Sequence, residues 1–162
     1  MTQTGRIVYS PVALDISAIT KEIIEIYKPV YKYKSIEVIE NIPESSIVMA
    51  DMDMISTVIR NLISNAIKFT YAGGKILVVV TQTKSEIIVA ISDNGIGIPS
   101  DTIGKLFHIS SKYSTSGTSN EQGTGLGLIL CKEFIDKHEG KIWVESQKGK
   151  GSTFSFSLPL SM

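Results

Sequence analysis

Apolar residues recur at helical spacing between Asp51 and Thr70 and predict one long amphipathic helix. At about 100° per residue they fall within an arc of roughly 100°, as expected of a helix with one buried face. A narrower ridge, formed by Asn61, Asn65 and Lys68, borders that apolar stripe. Asparagine is a mediocre helix former, so two of them one turn apart, followed by a lysine, favour side chains kept for a ligand. A solvated helix face is the other interpretation, and this helix alone does not decide between them.

The rest of the pattern predicts strands in antiparallel pairs and two further main helices. Pro29 is expected to end or kink the first helix near Tyr27, since proline cannot continue a helix. The fold class is therefore α/β, a two-layer sandwich with three main helices in a single domain over 1–162. The predicted strands are 6–9, 36–42, 47–50, 75–82, 86–92, 141–146 and 152–158, and the predicted helices are 14–33, 51–70, a short piece ending near 107, and 123–138.

Composition narrows the classes of function. The 162 residues carry sixteen basic and sixteen acidic side chains, so no basic surface for nucleic acid and no polybasic membrane patch is expected. The single cysteine, Cys131, excludes an internal disulfide and fits a reducing compartment. No apolar run is long enough to span a bilayer, and nothing at the N-terminus resembles a signal peptide. We expect a cytosolic protein, or the cytosolic piece of a larger one.

Two glycine-containing motifs carry candidate chemistry. In DNGIGIP, Asp93 follows an apolar strand, where it either bonds to turn backbone or accepts an exocyclic amine from a ring such as adenine. Gly95 and Gly97 would let the backbone approach that ring closely. GTGLGL over 123–128 is either a tight turn or an anion site at a helix N-terminus. The polar loop 110–122 between them is a linker or a lid over a site.

Five motifs together resemble one family. They have the order and spacing of the histidine-kinase ATP-binding domain, a relative of DNA gyrase, MutL and the heat-shock chaperone ATPases. The resemblance covers nearly the whole chain, from about Ser10 to Leu160, and implies a Bergerat-type ATP-binding fold with a mixed, mostly antiparallel sheet. The motifs are NLISNAIKF, DNGIGIP, the pair Leu106 and Phe107, GTGLGL and GSTFSFSLP.

The resemblance also implies the cofactors, ATP and Mg²⁺, and a role for each motif. Asn65 would be the Mg²⁺ ligand with Asn61 assisting, and Lys68 would contact phosphate. Asp93 would accept the adenine amine, and the glycine turn would close over the triphosphate beneath a lid at about 110–122. The implied nucleotide-binding residues are Asp93, Gly95, Gly97, Gly123, Thr124, Gly125, Leu126, Gly127 and Thr153.

One position bears on the reaction. Hydrolysing members of the group carry a glutamate one helical turn before the metal-binding asparagine, and Asn61 stands there. An amide cannot take a proton from water, so the resemblance implies a histidine nucleophile on a separate, upstream dimerisation domain. Neither His108 nor His138 has the sequence setting of such an acceptor, and His138 is expected at a helix end.

The resemblance further implies a cytoplasmic catalytic part of a sensor, which can be membrane-anchored through other segments. A response regulator would act downstream, with no nucleic acid partner and no direct membrane contact from this domain. A gyrase-type ATPase clamp and a non-catalytic interaction module are the alternatives.

Overall fold

Alternating apolar residues build one mixed sheet of five strands, and its buried face carries the helices. The computed structural model describes residues 8–107 and 126–160. In the sheet the strand order is β2-β4-β5-β7-β6, while β1 and β3 form a separate two-stranded ribbon. The elements are β1 Val12–Asp15, α1 Ile16–Ile26, α2 Lys28–Tyr33, β2 Glu37–Asn41, β3 Ile47–Ala50, α3 Met52–Phe69, β4 Lys75–Gln82, β5 Glu86–Asp93, α4 Ser100–Ile103, α5 Leu126–Lys137, β6 Lys141–Gln147 and β7 Gly151–Pro159.

The sheet is antiparallel except at one edge. β2 runs parallel to β4, whereas the pairs β4 with β5, β5 with β7, and β7 with β6 are all antiparallel. A parallel pair needs a long crossover connection, and here the chain between the two strands contains α3. The sheet thereby confirms the predicted two-layer α/β fold, with α1, α3 and α5 as its main helices.

The central helix α3 forms as its sequence predicts. The carboxylate of Asp51 caps it by accepting the Met54 N–H at 3.0 Å. The predicted apolar stripe is buried from Ile55 to Ala66, whereas Phe69 at its end is only half-buried. Because α3 packs against both α5 and the sheet strand β5, its orientation fixes where its polar ridge lies.

The N-terminal elements differ from the prediction. Strand β1 comprises Val12–Asp15, and no strand forms at residues 8–9; residues 6–7 of the predicted strand lie outside the described part of the chain. The strand begins only after Pro11, which has no N–H to give to a partner. Helix α1 starts at Ile16, two residues later than predicted, because Asp15 caps it by accepting the Ser17 N–H at 3.1 Å.

The predicted effect of Pro29 is confirmed. Helix α1 ends at Ile26, Tyr27 is its C-cap, and α2 begins at Lys28 with the proline in its first turn. The predicted lid 110–122 lies outside the described residues. Within 8–107 and 126–160, the helices are too short or too polar to cross a bilayer.

Candidate functional site

The polar ridge of α3 borders its buried face, as the sequence predicts. Asn61, Asn65 and Lys68 are all half-buried. The Lys68 ammonium nitrogen lies 4.9 Å from the centre of the Phe69 ring, close enough for a cation–π contact. The ridge therefore presents two amides and one cation in a row at the margin of the core.

Asp93 is the last residue of β5 and its carboxyl is largely removed from water. Burial raises the pKa of Asp93 to about 6, although backbone hydrogen bonds from Gly95 and Ser152 oppose this rise. The Gly95 N–H donates to Asp93 Oδ1 at 2.9 Å. Both interpretations of Asp93 from sequence therefore agree with the structure. The carboxylate bonds to turn backbone, and it is also a poorly solvated acceptor that could bind an amine.

The loop after Asp93 rests directly on the C-terminal turn of α3. A side chain at Gly95 would overlap the carbonyl oxygen of Phe69, and the Ile96 N–H donates to that same oxygen at 3.1 Å. Gly97 has φ +71°, and a Cβ there would overlap the Gln147 carbonyl. Only glycine satisfies both demands, so DNGIGIP places Asp93 beside the end of the α3 ridge.

The register of β5 and β7 shows where Thr153, predicted to help bind adenine through water, lies relative to Asp93. Thr153 lies opposite Ser92 in the β5–β7 register, and their hydroxyl oxygens are 2.7 Å apart. Asp93 lies opposite Ser152 instead. Successive side chains of a strand point to opposite faces of a sheet, so Thr153 is on the face away from the Asp93 carboxyl and Ser152 is on the same face.

Ser152 is part of a small buried network that sequence reasoning missed. Its hydroxyl lies 2.7 Å from that of Ser146, which in turn accepts the Ile98 N–H at 2.8 Å. This network ties β6 and β7 to the loop that follows Asp93. The signal was present in the sequence, because Ser152 shares its strand parity with the buried Phe154 and Phe156.

The first turn of α5 lies against the same ridge. A Cβ at Gly127 would lie 3.1 Å from the Asn61 amide oxygen, and Leu126 begins the helix. Cys131, one turn further on, is fully buried at this helix contact; burial raises the pKa of its thiol to about 12, although a hydrogen bond with the Asn61 side chain opposes the rise. Gly123, Thr124 and Gly125 lie outside the described residues.

These pieces make one composite site with complementary chemistry. An acceptor at Asp93 stands at one end, and the amides of Asn61 and Asn65 with the Lys68 ammonium follow along the ridge. Helix N-termini favour anions, and α5 begins beside Asn61. Within 8–107 and 126–160 no cluster of three or more His, Cys, Asp or Glu side chains could hold a metal ion.

The comparison with known families agrees with this geometry. Residues 50–162 match the family model described as "Histidine kinase-, DNA gyrase B-, and HSP90-like ATPase". This match spans more than half of the chain. The chain belongs to this family.

Relatives within the family are sensor kinases, and they are longer proteins. The adaptive-response sensory kinase SasA of Crocosphaera subtropica is 39% identical over 144 residues, which cover 88% of this chain and 37% of SasA. The sensor histidine kinase WalK of Bacillus subtilis is 37% identical over 131 residues, covering 79% of this chain and 21% of WalK. The chain thus spans well under half the length of these relatives.

Solved structures of the family share the fold. The nucleotide-free catalytic domain of histidine kinase ThkA superposes with a TM-score of 0.80 at 30% identity, covering 93% of this chain and 95% of that domain. A structure of ThkA in complex with the response regulator TrrA gives a TM-score of 0.79 at 26% identity, covering 98% of this chain and 44% of that one.

Proposed function

We propose that this chain binds Mg-ATP and is the catalytic ATP-binding domain of a sensor histidine kinase. The observation that carries the proposal is that two segments pack on one helix, α3, at the two ends of its polar ridge. The loop after Asp93 rests on Phe69 at the end of α3, and the first turn of α5 rests against Asn61 on the same helix. Family membership and the sensor-kinase relatives support the assignment.

The proposed adenine site consists of Asp93 and its surroundings. The Asp93 carboxylate would accept the exocyclic amine of adenine. Gly95 and Gly97 let the loop after Asp93 pack closely on the Phe69 and Gln147 carbonyls, and in this proposal the loop backbone lies against the ring. Ser152 is added to this site, because it lies opposite Asp93 in the sheet, and Thr153 remains a proposed contact through water. A carboxylate held in this poorly solvated position gains more from an amine donor than one in water would.

The proposed phosphate site lies along the ridge. Asn65, with Asn61 assisting, would bind Mg²⁺ through amide oxygens, and Lys68 would contact phosphate. A site with few protein ligands fits this ion, which usually keeps waters and substrate phosphates in its shell. When bound, Mg²⁺ would neutralise charge on the triphosphate. Gly123, Thr124 and Gly125, which lie outside the described residues, and Leu126 are proposed to contact the triphosphate together with Gly127, which lies beside Asn61.

The proposed reaction is transfer of the γ-phosphoryl group to a histidine, for which positioning and charge neutralisation are the main requirements. The Asn61 amide cannot act as a base toward water. His138 is not the acceptor we propose, because its Nδ1 lies 2.7 Å from the Phe134 carbonyl and its Nε2 accepts the Asp51 N–H at 3.0 Å. The acceptor would belong to an upstream dimerisation domain, and a response regulator would receive the phosphoryl group; the complex of ThkA with the response regulator TrrA supports this partner class.

Calorimetry tests the nucleotide site directly. We would titrate ATP, with and without Mg²⁺, into the wild type, Asp93→Asn and Asp101→Asn. Asp101 is an exposed residue of α4 and is the matched control for loss of one carboxylate. We expect magnesium-dependent binding that only Asp93→Asn abolishes. A folded wild type that binds no ATP, or binding that survives in Asp93→Asn, would rule the proposal out.

Phosphotransfer is tested next, with a dimerisation domain that carries an acceptor histidine. Incubation with ATP is expected to give acid-labile phosphate on that domain and little free phosphate without it. Rapid ATP hydrolysis by the chain alone would favour an ATPase clamp instead.

A further inference from the structure

Lys34 is a lysine buried to an unusual degree, with a relative exposure of 8%. It follows the last turn of α2 as its C-cap. Its ammonium group donates to the Ile67 carbonyl at 2.8 Å and to the Lys68 carbonyl at 3.0 Å. These carbonyls belong to the last turn of α3, where a helix runs out of intrahelical donors; the Ile67 carbonyl also accepts the Thr70 N–H of the C-cap at 3.4 Å.

The main chain of Lys34 holds the segment that follows the same helix. Its carbonyl accepts the Gly73 N–H at 3.3 Å, and the neighbouring Glu37 N–H donates to the Gly74 carbonyl at 3.0 Å. The side chain and the backbone around Lys34 therefore fix the chain from the last turn of α3 to the start of β4. This segment adjoins the candidate site at Lys68 and Phe69.

Two parts of the candidate site depend on the position of the last turn of α3. Lys68 is itself a residue of the turn that Lys34 caps. Phe69, the next residue, supplies the carbonyl that receives the Ile96 N–H and that leaves no room for a side chain at Gly95. A shift of this turn would consequently move the ridge lysine and the loop after Asp93 together.

The charge on Lys34 has a second effect. The C-terminal end of a helix is negative and disfavours a nearby anion. A cation bonded to the last carbonyls of α3 offsets that negative end, next to the place where Lys68 would meet phosphate. A neutral side chain of similar size would fill the space but would leave the two carbonyls without this donor.

We infer that Lys34 is a positioning residue for nucleotide binding, which fixes the C-terminal turn of α3 so that Lys68 and the loop after Asp93 keep their relative places. This inference rests on the proposed function of the site. It concerns a residue that contacts neither nucleotide nor metal in that proposal, since its ammonium group is engaged by the helix carbonyls.

The test compares Lys34→Met with Lys32→Met. Lys32 is exposed in the last turn of α2 and Lys34 is the C-cap, so both variants lose one positive charge from the same end of this helix. ATP affinity is measured by calorimetry with Mg²⁺, at a temperature where urea titrations show each variant to be fully folded. Under that condition a loss of global stability alone does not change the dissociation constant. We expect Lys34→Met to weaken ATP binding about tenfold or more, and Lys32→Met less than about twofold because exposed charges are screened.

The outcomes separate the two proposals. If the wild type binds ATP and Lys34→Met binds it as Lys32→Met does, the role of Lys34 is refuted while the nucleotide site stands. If the wild type does not bind ATP, the proposed function fails, and this inference fails with it. Should Lys34→Met not fold, Lys34→Gln is measured in its place, because the shorter amide keeps a hydrogen-bond donor without the charge. We expect its affinity for ATP to be several-fold weaker than that of the wild type. Wild-type affinity in that folded variant would overturn the inference.

Discussion

Asp93 makes adenine recognition depend on pH in a defined direction. The ionised carboxylate accepts the adenine amine in the proposed site, whereas the protonated carboxyl has lost much of its strength as an acceptor. Because burial raises the pKa of Asp93 to about 6, the ionised fraction is roughly 90% at about pH 7, half at about pH 6 and roughly 9% at about pH 5. Affinity for the adenine moiety should therefore fall about tenfold between about pH 7 and about pH 5, which corresponds to roughly 1.4 kcal/mol.

Adenosine is the appropriate probe, because it has no phosphate that titrates in this range. Its binding can be followed by amide chemical shifts of the isotope-labelled protein, which tolerate weak affinity. Asp101→Asn serves as the control and should retain the pH dependence, since that carboxylate is exposed on α4. An affinity that stays flat, or that increases toward acid, would refute the assignment of Asp93 as the amine acceptor.

The same shift predicts an effect on folding stability. A carboxyl whose folded-state pKa lies above its model value of 3.8 contributes stability that is fully present below that value and is lost as pH rises through about 6. Holding Asp93 ionised at neutral pH costs at most about 3 kcal/mol, less after allowance for its partial exposure. Asp93→Asn should thus raise the free energy of unfolding by about 1–2 kcal/mol at about pH 7, while abolishing ATP binding. Urea titrations at about pH 7 and about pH 4 check this, because the gain should shrink at the lower pH.

Two further substitutions test the local geometry. Gly95→Ala would push a methyl group into the Phe69 carbonyl, so we expect the free energy of unfolding, measured by urea denaturation, to fall by about 2 kcal/mol or more and ATP binding to be lost. In the control Gly104→Ala a Cβ would meet nothing within 4 Å, so stability and ATP binding should not change. Equal behaviour of the two variants would contradict the close approach of Gly95 to Phe69. Asp51→Ala removes the N-cap of α3 and should cost about 1–2 kcal/mol in thermal or chemical denaturation, whereas Asp53→Ala, exposed in the same first turn, should cost much less.

The pH profile of the Asp51 effect has the opposite sign to that of Asp93. Burial raises the pKa of Asp51, but backbone hydrogen bonds, led by that from Met54, outweigh it and leave the pKa below 3.8. The stability that Asp51 contributes is consequently present above pH 3.8 and is lost as pH falls through its folded-state value.

The elements that sequence predicts well are those whose signal is local. Helix α3 could be found because its apolar spacing and its capping Asp51 lie within the helix itself. The hairpin of β4 and β5 was equally clear from alternation and from the Lys84–Ser85 turn. The start of β1 was misplaced because a four-residue strand in a two-stranded ribbon owes its existence to its partner β3, which is over thirty residues away.

In the candidate site, too, residues with a local sequence signal could be predicted and residues set by distant contacts could not. Asn61, Asn65 and Asp93 could be proposed because their motifs are compact, and the structure brings their elements together. Thr153 stays a prediction, whereas Ser152 could have been added from strand parity, since the buried Phe154 and Phe156 place Ser152 on the inner face. Lys34 could not be found from sequence, because its partner Ile67 is 33 residues away and nothing in KYKSI marks that lysine as buried.

The reactivity of the single cysteine reports how often α5 separates from α3. Cys131 lies fully buried where α5 packs on α3, and its high pKa leaves almost no thiolate in the closed state. A thiol reagent can therefore react only during excursions that separate these helices, so the labelling rate measures how often they part. A nucleotide that bridges the α3 ridge and the start of α5 would slow that labelling in proportion to its occupancy. No engineered probe is needed to follow this motion in the unmodified chain.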